Sequence, residues 1–391
     1  MSARRRKTAV DALRFIVLMG VVSLLADMTY EGARSITGPF LAFLGASATV
    51  VGVVSGFGEF IGYALRILTG FISDKTKRYW TITIIGYIVN LGAIPLLALV
   101  GRWELAALLL VLERMGKAVR TPARDAMLSH ATRTVGTGWG FGLHEALDQI
   151  GAVTGPLIIS LVLLLRGQTH FPEAFLTLGV PAVLAILIVI ISSLLYKNPQ
   201  DLEVKRISLV DKGLQRSYWT YLIAASCLAM GYADFPLLAF HIKKLQLASD
   251  TLIPVFYALA MGIDAVAALI FGKLFDRKGI AVMWWAVLCS LFFAPFVFLG
   301  TFPFVVLGVL LWGIGMGAQE SIMRAGVAEI TASDRRASAY GIFSTGFGFA
   351  WFVGSAAMGV LYDRSVMQLV TFSMFFQLIA VPIFMSIKIK R

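Results

Sequence analysis

Apolar residues run through this chain in long blocks, broken at intervals by short clusters of charge. Three blocks are uncharged and have the length, about 20 residues, that a helix needs to cross a bilayer. They are 79–101 between Arg78 and Arg102, 174–196 between Glu173 and Lys197, and 365–387 between Arg364 and Lys388. A fourth block, 280–319, is uncharged over about twice a span length, and Gly300-Thr301-Phe302-Pro303 supplies the turn that divides it. The remaining blocks contain charges and fall near 15–43, 48–73, 104–130, 136–165, 218–245, 250–275 and 337–362. The pattern predicts twelve spanning helices.

Composition agrees. Hydrophobic residues make up 58% of the chain and charged residues 14%, against roughly 25% charged in soluble proteins. This is a multi-pass membrane protein, and its longest polar interval, 197–217, has the size of a linker rather than of a catalytic domain. The net charge of +12 does not point to nucleic acid, because the basic residues collect in short loops. Twelve crossings put both termini on one side, and Arg4 to Lys7, Lys75/Lys77/Arg78, Arg277/Lys278, Arg335/Arg336 and Lys388/Lys390/Arg391 all fall there. The positive-inside bias makes that face cytoplasmic, in a bacterial-type inner (cytoplasmic) membrane. The basic start before an apolar run mimics a signal peptide. Asp27, Glu31 and Arg34 interrupt the run, which reads as a retained first helix. Cys227 and Cys289 stand alone in apolar blocks and suggest neither a disulfide nor a metal site. No P-loop is present, so neither ATP nor any other cofactor is expected.

The chain repeats itself. Gly70-Phe71-Ile72-Ser73-Asp74-Lys75 follows the second span, and Gly272-Lys273-Leu274-Phe275-Asp276-Arg277 follows the eighth, 202 residues later. Arg124 matches Arg324 at an offset of 200, and Phe141-Gly142 matches Tyr340-Gly341, as Gly155 matches Gly354, at 199. A nearly constant offset indicates two similar six-span halves, an architecture used by transporters. The expected domains are a bundle over 1–196, a linker over 197–217 and a bundle over 218–391.

The G-x-x-x-D-[basic] loops after spans two and eight resemble the signature of the major facilitator superfamily. The first copy departs from the pattern: Lys77 stands where a glycine is expected, although Arg78 keeps a basic residue. The second keeps Gly279 but has Ile280 in place of a basic residue. The first 160 residues or so are similar to a bacterial efflux branch that includes nickel-resistance-type exporters. Ser23 to Met28, Gly116-Lys117-Ala118-Val119-Arg120-Thr121-Pro122-Ala123-Arg124-Asp125-Ala126 and Phe141-Gly142-Leu143-His144 through Asp148 to Gly155-Pro156 carry that likeness. It implies an all-α membrane protein of twelve helices in two six-helix bundles related by pseudo-twofold symmetry. Gly70, Asp74, Lys75, Arg78, Arg124, Asp125, Gly272, Asp276 and Arg277 would form its cytoplasmic latch, in which aspartate accepts from helix amides and basic side chains.

Charges inside the spans supply the candidate chemistry, since each costs about 2.5–3.5 kcal/mol at the bilayer centre on insertion scales. Arg114, Lys117, Arg120 and Arg124 recur at steps of three, three and four, along one stripe of a helix that cannot face lipid. Asp27, Glu31 and Arg34 share a face of span one, Glu59, Tyr63 and Arg66 one of span two, and His144 and Asp148 one of span five. The superfamily fold lines its central cavity with spans one, four, seven and ten. The resemblance therefore implies Tyr30, Arg34, Arg114, Lys117, Arg120, His241, Glu320 and Arg324 as cavity candidates, and Glu59, on the charged face of span two, is added to them. Asp27, Glu31, His144, Asp148 and Asp234 are the candidates for proton coupling, because burial and nearby cations shift a carboxylate in opposite directions. Gly151-x-x-x-Gly155-Pro156 resembles the antiporter motif of drug–proton exchangers, with Ile159 and Ser160 where a glycine pair would follow.

These readings converge on a secondary active transporter that exchanges protons for a small solute, exports it by alternating access and works as a monomer. The basic stripe favours an anionic or zwitterionic solute, and the many aromatic residues and methionines suit an amphipathic one. A nickel-like metal ion is the alternative, though four histidines and two separated cysteines make a poor soft-metal site. A membrane-embedded enzyme is the remaining class, and Ser129-His130, neighbours on one helix, do not face each other.

Overall fold

The structure, a computed structural model, describes residues 3–135, 137–197, 216–331 and 336–387, with the side chains of 3–9, 74, 130, 132–142, 276, 324, 328 and 336–338 outside the description. The helices are α1 (Ala3–Phe43), α2 (Ala48–Thr76), α3 (Tyr79–Leu96), α4 (Trp103–Val135), α5 (Thr137–Arg166), α6 (Phe171–Thr177), α7 (Gly179–Leu195) and α8 (Arg216–Gly231). After them come α9 (Phe235–Lys244), α10 (Leu252–Lys278), α11 (Val282–Ser290), α12 (Phe293–Leu299), α13 (Phe302–Ile330), α14 (Arg336–Arg364) and α15 (Val366–Met385). Eleven spans are long and apolar enough to cross a membrane. The basic α4 has the length without the apolarity, and with it the described helices make the twelve crossings expected.

Three spans expected to be continuous are broken. The sixth bends between α6 and α7 and the ninth between α11 and α12. The seventh breaks at 232–234, where Pro236 can only begin a helix and Asp234 accepts from the Phe235 amide at 2.9 Å as the N-cap of α9. Backbone groups freed by such breaks must be satisfied inside the protein, because lipid offers no partner.

The chain forms two compact units, one of Met1–Ala33 with Leu65–Ile207, the other of Arg34–Ala64 with Ser208–Arg391. In the first unit, Phe15, Ile16, Met19, Tyr87, Leu91 and Met127 are core residues. Its helices approach closely: a methyl group on Gly155 would come within 2.2 Å of the Met28 carbonyl, and one on Gly116 within 2.2 Å of the Asn90 amide. In the second unit, a methyl on Gly354 would reach 2.3 Å from the Met230 carbonyl. The same glycine contact therefore joins α5 to α1 and α14 to α8. Leucines such as Leu165 and Leu269, more than 70% exposed, suit a lipid-facing surface.

Candidate functional site

Within the first unit the basic stripe of α4 is met residue by residue. Lys117 Nζ lies 3.7 Å from the centre of the Tyr30 ring, and Arg114 Cζ lies 4.6 Å from it. Arg114 also donates to the Tyr30 hydroxyl and sits 3.4 Å from Glu113. Glu113 is buried and accepts from Asn90 Nδ2 at 2.6 Å, while Asn90 Oδ1 accepts from Arg120 Nε at 3.1 Å. Arg120, 1% exposed, stacks on Tyr87 with Cζ 4.4 Å from the ring centre and reaches Asp27 at 3.9 Å. The stripe thus continues as a buried chain: Tyr30, Arg114, Glu113, Asn90, Arg120, Asp27. Glu31 is buried as well.

A second chain begins at Arg124. Its Nη1 donates to Ser23 Oγ at 2.8 Å, and its Nε and Nη2 hold Asp125 Oδ1 at 3.0 and 2.9 Å. Ser23 Oγ lies 3.2 Å from His144 Nε2, and Asp148 Oδ2 lies 3.6 Å from the same nitrogen. Arg124 is therefore tied to the His144–Asp148 pair. Asp74 and Asp276 of the expected latch, and Arg324 of the expected cavity, lie outside the described side chains. A methyl group on Gly70 would lie 3.6 Å from Pro122 and one on Gly272 would meet open space, whereas Lys75, Arg78 and Arg277 are exposed.

Within the second unit, Arg34 Nη2 meets Asp234 Oδ1 at 2.6 Å and Glu59 Oε1 at 3.1 Å. Arg34 and Glu59 were grouped with Asp27 and Lys117 as cavity or coupling candidates on sequence; here they form a triad with Asp234. His241 Nδ1 lies 2.9 Å from the Tyr362 hydroxyl, and Glu320 is exposed. Asp363, which sequence reading did not single out, accepts from the Ala48 and Thr49 amides and from the Thr49 hydroxyl at the start of α2. Asn90, Glu113 and Ser23 were missed too. Asn90 and Ser23 carry no charge, and nothing in a single sequence says which helices become neighbours. Glu113 beside Arg114 does break the apolar pattern, and it was the one available signal.

The glycine contacts set the register between the units: Met28 matches Met230 and Gly155 matches Gly354. In that register Ser23, Asp27, His144 and Asp148 correspond to Ala225, Ala229, Phe343 and Phe347. Phe343 stacks on Tyr221 at 5.6 Å and on Phe347 at 5.9 Å.

The sequence matches the profile of the Major Facilitator Superfamily over residues 19–355. An uncharacterized protein of Mycobacterium tuberculosis is 40% identical over 392 residues, covering 98% of this chain and 95% of its own. An uncharacterized MFS-type transporter of Methanocaldococcus jannaschii is 27% identical over 364 residues, covering 90% and 89%. Among solved structures, the nucleoside transporter NupG shares the fold with a TM-score of 0.73 at 16% identity, over 96% of this chain and 100% of that one. A profile match over most of the chain, carried on twelve helices with buried charge, makes this multi-pass membrane transporter a member of the major facilitator superfamily.

Proposed function

We propose that the protein is a proton-coupled secondary transporter that exports an anionic, zwitterionic or amphipathic solute across the cytoplasmic membrane by alternating access. It acts as a monomer with both termini in the cytoplasm. One observation carries this reading. The first unit joins Ser23, Asp27, His144 and Asp148 to the arginines of α4 and to one another, while the matching places of its repeat at 225, 229, 343 and 347 hold alanine and phenylalanine. The fold closes without charge at those places, and ionisable groups inside a membrane protein mark solute and proton routes.

Lys117 and Arg114 on the Tyr30 ring are the solute's cations, since a carboxylate or phosphate can replace the ring as their partner. Asp27, paired with Arg120 at 3.9 Å, is the coupling carboxylate, which loses and regains that cation as the protein alternates.

The test is reconstitution in liposomes loaded with a pH-sensitive dye. A panel of organic anions, zwitterions and amphipathic cations, with Ni²⁺ as a separate arm, is presented on one side. Proton movement on addition of an organic solute, lost in Asp27→Asn protein that still elutes as a folded monomer, is the expected result. Solute flux without proton movement, or full coupling in Asp27→Asn, would remove the proton from the mechanism. A response to Ni²⁺ alone would replace the organic solute by a metal ion.

A further inference from the structure

Among the described residues the hydroxyl of Ser23 meets two polar neighbours. Ser73, Thr29 and Thr69 elsewhere in the membrane helices donate to the carbonyl four residues back. Among the described residues Ser23 makes no such bond. Its oxygen instead receives Arg124 Nη1 at 2.8 Å and lies 3.2 Å from His144 Nε2. A guanidinium has donors and no acceptor, so the Ser23 oxygen accepts there and its own proton is left to give. Among the described residues the other polar atom bonded to it is His144 Nε2. With the Ser23 proton given to that nitrogen, Nε2 holds a lone pair and the ring proton of the neutral imidazole sits on Nδ1.

The same lone pair faces Asp148 Oδ2 at 3.6 Å. An ionised carboxylate repels a lone pair, whereas a protonated one can donate to it. His144 Nδ1 and Asp148 Oδ1 are both buried without a hydrogen-bond partner, so the pair has unused capacity on either side. The charged groups around it are Arg120, Arg124 and Asp125 of α4, Asp27 of α1, and Glu145 of α5 itself.

We infer that Ser23 is a positioning residue that fixes His144 as the Nδ1–H tautomer, and that Arg124, by donating to Ser23, keeps His144 Nε2 closed to a proton. When Arg124 withdraws, the Ser23 hydroxyl can turn and accept. The Asp148 O–H bond then breaks as an Nε2–H bond forms, and a neutral pair becomes an imidazolium–carboxylate pair. The position of one guanidinium thereby sets where the proton resides. The use of this switch rests on the proton-coupled reading above, whereas the contacts that build it, Arg124 and His144 on one serine hydroxyl, do not.

The chain has four histidines, which suits ¹⁵N-histidine labelling of the whole protein in nanodiscs, with His144→Gln used to assign the His144 signals. The expected wild-type spectrum shows hydrogen on Nδ1 and none on Nε2. In Ser23→Ala the Nδ1–H preference is lost and the imidazolium signal at mildly acidic pH grows at least threefold, while Ser23→Thr keeps the wild-type pattern. Hydrogen on Nε2 in the wild-type protein overturns the inference without any variant, as does an unchanged spectrum in Ser23→Ala. The expected tautomer in a protein that moves no protons in liposomes upholds the switch and removes only its coupling to transport. Proton flux with the opposite tautomer does the reverse.

Discussion

His144 on α5 and Phe343 on α14 occupy matching positions beside matching glycine contacts, yet they do opposite things. His144 joins Ser23 and Asp148 in a buried polar chain. Phe343 begins an aromatic ladder that continues through Phe347 to Trp351, with ring centres 5.9 and 5.7 Å apart. Removing an ion from water costs several kcal/mol even after relaxation, whereas an aromatic pair contributes about 0.5–1.5 kcal/mol beyond its buried area. The second unit therefore takes the cheaper solution to the same packing problem. Charge at these places is therefore not dictated by the fold.

The comparison breaks most directly at the shared contact. Leucine at Gly155 or at Gly354 drives a side chain into the Met28 or Met230 carbonyl, 2.2 and 2.3 Å from where a Cβ would lie. Overpacking that the backbone cannot relieve exceeds the usual cost of about 1–3 kcal/mol. We expect neither variant to elute as a folded monomer in size-exclusion chromatography. A variant of one glycine that folds normally would show that the two contacts are not equivalent.

The next effect separates the networks themselves. Asn90→Leu leaves the Glu113 carboxylate and the Arg120 guanidinium without the amide that joins them, and breaking such a buried array costs about 3–5 kcal/mol. Tyr232→Phe, in the second unit, removes one hydroxyl that donates to the Trp312 carbonyl, worth about 0.5–1.5 kcal/mol. Thermal unfolding in detergent should show a several-fold larger loss for Asn90→Leu. Equal losses would mean that the polar chain of the first unit is no more demanding than an isolated hydrogen bond.

Asp27 and Asp234 sharpen the contrast between chemistry and structure. Both are acids facing arginine, at 3.9 Å and 2.6 Å, Asp27 half-buried and Asp234 buried. Asp234 also caps α9, and Arg34 keeps Glu59 at 3.1 Å when Asp234 is neutralised. Asparagine caps as well as aspartate. Asp234→Asn should therefore cost about 1–2 kcal/mol, a hydrogen bond to a charged group, and leave coupling intact, while Asp27→Asn abolishes coupling at little cost in stability. Proton flux measured on the two variants side by side decides it. Loss of coupling in Asp234→Asn would return that residue to the proton path.

Much of the fold was legible because a bilayer leaves few choices. Most apolar blocks of span length became helices within a few residues of their expected ends, though α1 begins at Ala3 rather than near 15, and the fixed offset between Gly155 and Gly354 pointed to two similar halves. The site was legible as ingredients. The stripe on α4 announced that Arg114, Lys117, Arg120 and Arg124 had partners, but Asn90 and Ser23 lie in apolar runs and became partners only once α3 and α1 were placed beside α4. The break at 232–234 was hidden for a similar reason: Asp234 and Pro236 signal a helix start, and only the structure shows that the start interrupts a span.

The smallest effect lies in the two signature loops. Lys77 stands where the family pattern expects glycine, and the structure puts it at φ +56°, beside Gly279 at φ +63° in the matching loop. A left-handed conformation costs a side chain about 1–2 kcal/mol, and glycine, which escapes that cost, gives back roughly 0.5–1 kcal/mol through its looser unfolded state. Lys77→Gly should therefore raise stability by about 0.5–1 kcal/mol, since among the described residues the lysine amine gives up only a long contact to the Tyr79 hydroxyl at 3.5 Å. Gly279→Ala should lower stability by at least as much, because φ +63° with ψ −153° is open to little but glycine and the new methyl would lie 3.3 Å from Glu329 Oε1. A thermal shift upward for the first and downward for the second would mean that both loops demand a positive φ and only one has the residue suited to it. A destabilised Lys77→Gly would mean that lysine is held there by an interaction stronger than the strain it carries.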